Sequence, residues 1–171
     1  MAHDRQQVFC LKVKSRYPEM FQDKDVLDIG SLNINGTNKP LFENCRYTGV
    51  DLGPGPNVDI IGPAHTLDMP DDSFDVVIST ECLEHDKHWE DTLRFACRVL
   101  KPGGLLVLTL ASEGRKDHGT TAATPEDSPF TNDYYRNLYE KDLIGILNET
   151  TFENPTYSID VADLQFYGIR K

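Results

Sequence analysis

The chain has 171 residues, enough for one domain with a sizeable core, and carries 17 Lys/Arg against 28 Asp/Glu for a net charge of −11. Residues 1–24 hold five basic and three acidic side chains, which leaves −13 for the rest, and a surface that acidic repels a phosphate backbone, so a nucleic-acid substrate is disfavoured. Cys10, Cys45, Cys82 and Cys97 lack CxxC spacing, the first residues are polar, and no apolar run approaches 18 residues; we expect buried thiols, neither signal peptide nor membrane span, and a soluble cytoplasmic protein.

Residues 3–21 read as a helix with Val8, Phe9, Cys10, Leu11, Val13 and Tyr17 on a broad apolar stripe, ending near Pro18. Val26–Gly36, VLDIGSLNING, then sets the organisation of the chain. A short apolar strand (Val26–Ile29) bears Asp28 near its end and runs into a tight turn at Gly30. A second strand (Tyr47–Leu52) carries Asp51, an acid about 20 residues beyond the glycine turn, where one carboxylate can accept hydrogen bonds from both hydroxyls of a ribose.

Between these strands Gly36 and Pro40 oppose a long helix, so a loop with one helical turn near Leu41–Asn44 is expected. Gly53, Pro54, Gly55 and Pro56 form a rigid turn. Val58–Ile61 then makes a short strand, with no room for a crossover helix before it. The continuous apolar run within Phe74–Thr80 suits a parallel strand buried on both faces. From Trp89 the apolar residues fall on one helical face through Leu100, the Lys101-Pro102-Gly103-Gly104 turn stops that helix, and Leu105–Leu110 is a second buried strand. Alternating strand and helix predicts an α/β fold with a parallel sheet.

Residues 111–135 lack apolar periodicity. A stretch of that length starting at the carboxyl end of a central strand predicts a lid over the site. Glu140–Asn148 reads as a helix, and Thr156–Val161 with Gln165–Arg170 as an antiparallel hairpin. The chain shows no repeat or linker, and residues 1–171 are expected to form a single domain.

The ordered set VLDIG, YTGVDL, DDSFDVVIS, ECLEH and RVLKPGGLLVLTL, closed by a hairpin, resembles the class I S-adenosylmethionine-dependent methyltransferases, in particular the small type 11 methyltransferase domain, over roughly Asp25–Lys171. The resemblance implies a Rossmann-like three-layer sandwich on a mostly parallel seven-stranded sheet ordered 3-2-1-4-5-7-6, the last strand antiparallel, here trimmed between strands 2 and 3. It implies S-adenosyl-L-methionine as cofactor and S-adenosyl-L-homocysteine as product. Asp28, Gly30 and Ser31 would line the methionine end, Asp51 the ribose, Leu52 the adenine; Ala64, His65 and Leu67 the adenine edge; and Ser79 and Thr80 the sulfonium.

The chain departs from the family pattern. Of GxGxG only Gly30 survives, with Leu32 and Ile34 in place of the later glycines, so that Asn33 or Asn35 would supply polar contacts. Pro63 stands where many relatives carry an acid for the adenine amino group, which leaves selectivity to the backbone or to His65. His118-Gly119 and Asp133-Tyr134-Tyr135-Arg136 resemble, more loosely, a subgroup whose acceptor region follows the fifth strand.

Methyl transfer from a sulfonium needs alignment and, for an oxygen acceptor, a base. His118 is the first candidate, because an unperturbed imidazole titrates near neutrality, followed by Glu81 and His85. Arg115, Tyr134, Tyr135 and Arg136 are candidates for the acceptor wall. His85 and His88 lack a third ligand in the sequence, and no metal is expected.

The expected activity is methyl transfer to an O or N atom of a small molecule or sugar. A non-catalytic S-adenosylmethionine-binding or regulatory protein is the alternative, and a nicotinamide-dependent oxidoreductase is weaker, because Leu32 and Ile34 spoil the pyrophosphate turn. No substrate domain is added to the chain, so a homodimer is one way to complete the acceptor site.

Overall fold

The computed structural model describes residues 4–171. Among them β1 (Asp25–Ile29), β2 (Arg46–Asp51), β3 (Ile60–Ile61), β4 (Phe74–Thr80), β5 (Leu100–Ala111), β6 (Phe152–Asp160) and β7 (Asp163–Arg170) form one sheet in the spatial order β3-β2-β1-β4-β5-β7-β6. β1 to β5 pair in parallel, and β7 runs antiparallel to both β5 and β6. The expected sheet order and strand directions are those observed.

Strand alternation divides the core in two. Val26, Val76, Ile78, Leu105 and Val107 face α1 (Asp4–Arg16), which meets them with Phe9, Cys10 and Val13. On the other face Leu27, Ile29, Val77, Leu106, Leu108 and Leu110 pack with α2 (Trp89–Val99) and α3 (Glu140–Leu147). Each fully buried branched side chain contributes about 1.5–3 kcal/mol by leaving water, which accounts for the near-continuous apolar runs of β4 and β5.

α1 corrects the sequence reading in two respects. Its buried face is Gln6, Phe9, Cys10 and Val13, while Val8 and Leu11 are 48% and 49% exposed. These buried positions are spaced as one face of a 3.6-residue helix, and the broad apolar stripe hid that spacing. The helix also stops at Arg16, and Pro18–Phe21 is a separate 3-10 turn that Pro18 opens. The expected first helical residue, His3, lies outside the described residues.

β5 begins earlier than expected. Leu100 pairs with Phe74, the register shifts, and Val76 pairs with Leu105, so Lys101–Gly104 bulges within an extended chain. Gly103 has φ +78, and a Cβ on Gly104 would lie 2.9 Å from the Asp75 carbonyl oxygen, so the bulge requires its glycines. The turn between β1 and β2 falls at Lys39–Leu41, just before the expected Leu41–Asn44. β3 keeps only two of its four expected residues, because Asp59 is held in a turn by reciprocal contacts with Gly49.

Both outer strands are imperfect edges. β3 is two residues long, and β6 contains Pro155 within a register shift between Glu153 and Thr156. No helix among the described residues is long and apolar enough to cross a membrane.

Candidate functional site

A cleft opens at the carboxyl edge of the sheet, walled by Ile29, Gly30, Leu32, Val50, Asp51 and Leu52 on one side and by Glu81, Cys82 and His85 on another. Pro63 and Ala64 close its far end, and Asp127–Thr131 from the segment after β5 lie over it.

Gly30 holds the turn together. It has φ +82, and a Cβ there would lie 2.5 Å from Cys82 Sγ, so the first loop and the loop after β4 touch through a missing side chain. Gly30→Ala is therefore expected to cost about 2–4 kcal/mol, from a left-handed backbone and overpacking together, read by urea unfolding. Adding Cys82→Ala should recover only part of the overpacking share, because the alanine keeps a Cβ at the same 2.5 Å as Sγ.

Asp51 sits where both loops need an acceptor. Leu32 N–H donates to Oδ2 at 3.0 Å and Gly53 N–H to Oδ1 at 3.4 Å. Burial raises its pKa, and these backbone donors oppose the rise. Each oxygen keeps a further lone pair, so the carboxylate can still hold a vicinal diol, and the apolar Val50, Leu52, Pro63 and Ala64 beside it suit a purine face.

Of the expected cofactor contacts, Gly30, Leu32, Asp51, Leu52 and Ala64 line this cleft, and Asp28, Ser31, Asn33, His65, Leu67, Ser79 and Thr80 do not. Asp28 alternates with Leu27 and Ile29 and so points to the α1 face, where it accepts a 2.6 Å hydrogen bond from Tyr47. Burial pushes its carboxyl up to about 6 against that bond. Ser31 is buried against Gly49. Asn33 accepts from Gly36 N–H, and Asn35 Nδ2 lies 3.4 Å from Asp127 Oδ1, tying the glycine turn to the segment above it. His65 faces Thr92 and packs its ring, tilted by 35°, against that of His88. Leu67 packs against the core, Ser79 Oγ donates to the Ile29 carbonyl, and Thr80 accepts from Asn38.

The three candidate bases converge. Glu81, at φ +51, lines the cleft, an uncommon conformation for a non-glycine residue and one often found at functional sites. His85 follows one turn later, and its Nε2 stands 3.4 Å from His118 Nε2. Tyr135 packs its ring 4.9 Å from that of His118 and 5.3 Å from that of His85. Burial and the neighbouring His118 push His85 down to about 3, and burial also lowers His118, so both imidazoles are neutral at pH 7. Buried Glu84 donates nothing to the cleft but accepts the Ala111 N–H at 3.1 Å, and burial, then Glu81, raises its pKa.

The remaining acceptor candidates divide. Arg115 pairs with Asp163 at 2.8 Å and lies 3.7 Å from Glu81, close to the histidines. Arg136 pairs with Asp142 and lies over Trp89, which anchors α3 to α2. Tyr134 is half-buried, with its N–H bonded to the Thr131 carbonyl. Sequence reasoning missed Ile29, Val50, Cys82 and Asp86 as cleft residues; Asp127–Thr131 fall within the expected lid, but Phe130, whose ring lies against Gly53, carries no local signal of its own role.

Comparison with known proteins bears on this arrangement. A family model described as "Methyltransferase domain" matches residues 1–154. A ubiquinone/menaquinone biosynthesis C-methyltransferase of Ectopseudomonas mendocina is 45% identical over 87 residues, 50% of this chain and 34% of that protein. A demethylmenaquinone methyltransferase of Tropheryma whipplei is 30% identical over 105 residues, 54% of this chain and 44% of that protein. The matches thus span between a third and a half of these relatives' lengths. Among solved structures, Haemonchus contortus phosphoethanolamine N-methyltransferase 2 in complex with S-adenosyl-L-methionine superposes with a TM-score of 0.66 at 18% identity, over 97% of this chain and 52% of that one. Burkholderia thailandensis 1,6-didemethyltoxoflavin-N1-methyltransferase, with 1,6-didemethyltoxoflavin and S-adenosylhomocysteine bound, superposes with a TM-score of 0.63 at 17% identity, over 99% of this chain and 83% of that one.

Proposed function

For a chain that belongs to the class I S-adenosylmethionine-dependent methyltransferase family, we propose that the acceptor is a small molecule whose nucleophilic O or N atom is held between His85, His118 and Tyr135. The observation that carries this reading is that His85, which lines the cleft with Glu81 and Cys82, meets the rings of His118 and Tyr135.

The cofactor supplies a methyl group on a sulfonium that is already an activated leaving group. The chain's own residues have three tasks. Asp51 and the apolar wall around it hold the nucleoside; Glu81, Cys82 and the Gly30 turn border the passage to the acceptor; and His118, with His85 beside it to orient the hydroxyl, takes the proton that a hydroxyl must lose to become nucleophilic. Residues 111–135 act as the lid that excludes water, and a single domain in the cytoplasm is the matching context for four unpaired cysteines.

The likeness to a C-methyltransferase supports a second reading, transfer to carbon; where a hydroxyl neighbours that carbon in an unsaturated acceptor, the same proton removal makes the carbon nucleophilic. The test is to incubate the protein with methyl-labelled S-adenosylmethionine and panels of phenols, sugars and amines, and to assign the product by NMR. A labelled O- or N-methyl product is expected. Label found only on carbon would replace the first reading by the second. No transfer to any panel, despite tight binding of the nucleoside, would overturn a small-molecule acceptor of these classes.

A further inference from the structure

The convergence of Glu84, His85 and His118 has a second consequence. One potential ligand atom from each lies within 4.8 Å of the others, and two of the three residues are buried. We propose that these three side chains bind a first-row divalent transition ion at the acceptor end of the cleft.

The nitrogens are placed for it. Two imidazole nitrogens about 2.05 Å from a tetrahedral ion stand about 3.3 Å apart, and His85 Nε2 and His118 Nε2 are 3.4 Å apart. That is long for a hydrogen bond between them. His118 Nδ1 lies 3.1 Å from the Lys116 carbonyl, which can only accept, so the His118 proton is on Nδ1 and the Nε2 lone pair faces His85. If His85 instead donated from Nε2, its buried Nδ1 would be a lone pair with no hydrogen bond of normal geometry. A cation between the two rings satisfies both.

The carboxylate completes the set. Glu84 Oε1 accepts the Ala111 N–H, which orients the group, and Oε2 is buried without a hydrogen bond. A backbone partner on one atom and an open ligand atom on the other is the pattern of a metal ligand held from behind. Charge agrees: Glu81 and Asp163 gather here with Arg115, and burial beside Glu81 raises the Glu84 carboxyl, so that binding a cation would release its proton and relieve the crowding. Two imidazoles and one carboxylate favour Zn²⁺, Co²⁺ or Fe²⁺ over Mg²⁺, which prefers oxygen and keeps its water.

A role for the ion in lowering the pKa of a bound acceptor hydroxyl rests on the function proposed above; its binding does not. With the ion in place the hydroxyl loses its proton to solvent because the ion stabilises the oxyanion, and His118 serves as ligand in place of base.

The test uses tag-free protein stripped with a chelator, then titrated with Co²⁺, Zn²⁺ or Mg²⁺ by calorimetry and, for Co²⁺, by its visible absorption bands. His118→Ala and Glu84→Gln are measured alongside, with S-adenosylhomocysteine titrated into every sample. One Co²⁺ per chain is expected, weakened in both variants by more than the about tenfold that loss of even an outer partner costs, while S-adenosylhomocysteine binding is retained. No saturable one-to-one uptake, uptake unchanged in both variants, or preference for Mg²⁺ would overturn the site. Metal uptake without nucleoside binding would leave the site standing and remove the methyltransferase reading of the cleft.

Discussion

Asp51→Ala is expected to weaken S-adenosylhomocysteine binding by about a hundredfold to a thousandfold. The carboxylate is the charged acceptor in the cleft that is already oriented by backbone donors from both neighbouring loops, Leu32 N–H and Gly53 N–H. A ribose diol bonded to it makes two charge-assisted hydrogen bonds of about 1.5–3 kcal/mol each, part of which water returns when the side chain is lost. The same substitution takes the acceptor from Leu32, so some loosening of the glycine turn accompanies it. Asp51→Asn separates the two effects, because its amide oxygen still accepts from Leu32 while the charge and the second acceptor are gone. Its affinity should fall about tenfold with thermal stability close to that of the parent. Calorimetry well below the melting temperature decides; an Asp51→Ala protein that binds as tightly as the parent would remove the ribose assignment.

Acidification should separate two buried groups whose linkages have opposite sign. His85 is held down to about 3 by burial and by His118, so between pH 6.5 and 3 the unfolded chain binds a proton there that the folded chain refuses. Its contribution to stability is full above pH 6.5 and is lost as pH falls, at up to about 1.4 kcal/mol per pH unit. Asp28 is pushed up to about 6 by burial, so between pH 6 and the ordinary carboxylate range the folded chain takes up the proton first. There stability rises as pH falls, by about 3 kcal/mol in all.

The two effects partly cancel between pH 6 and 4 in the parent, and single variants expose them. Urea unfolding of metal-stripped protein should show His85→Gln gaining on the parent as pH drops below 6.5. Asp28→Asn should gain on it as pH rises from 4 to 6. Variant and parent curves that stay parallel over these ranges would mean that neither group is as buried as the structure has it.

The legible parts of the fold were those in which one face decides everything. Phe74–Thr80 and Leu105–Leu110 are apolar on both sides because helices cover both faces of the sheet, and no other element type fits runs so short and so closely bounded. α1 was harder, because apolar residues at 8, 9, 10, 11 and 13 surround more than half the helix, and only packing on Val76 and Leu105 selects the face that carries Gln6. Asp28 could have been placed from alternation alone, since Leu27 and Ile29 face the α2 side.

The site was legible where it lies at strand ends. Gly30, Asp51 and Glu81 each end a strand of a parallel sheet, and topology then brings them to one edge. The pairing of His85 with His118, 33 residues apart, and the seat of Phe130 on Gly53 depend on the path of an aperiodic segment. No spacing encodes that path. The sequence set His85 beside His88, three residues on, whereas the structure sets it against His118, which comes from the far side of β5.

The two outer strands bear on assembly. A further chain can extend a sheet only along an edge that offers several consecutive unpaired N–H and C=O groups in register. β3 offers two residues, and along β6 Pro155 removes a donor where the register already shifts. The β3 edge is thus too short to extend the sheet, and along β6 only the five residues Thr156–Asp160 run in unbroken register, so a second copy that completes an acceptor site would find little backbone to pair with and would depend mainly on side chains of the exposed faces.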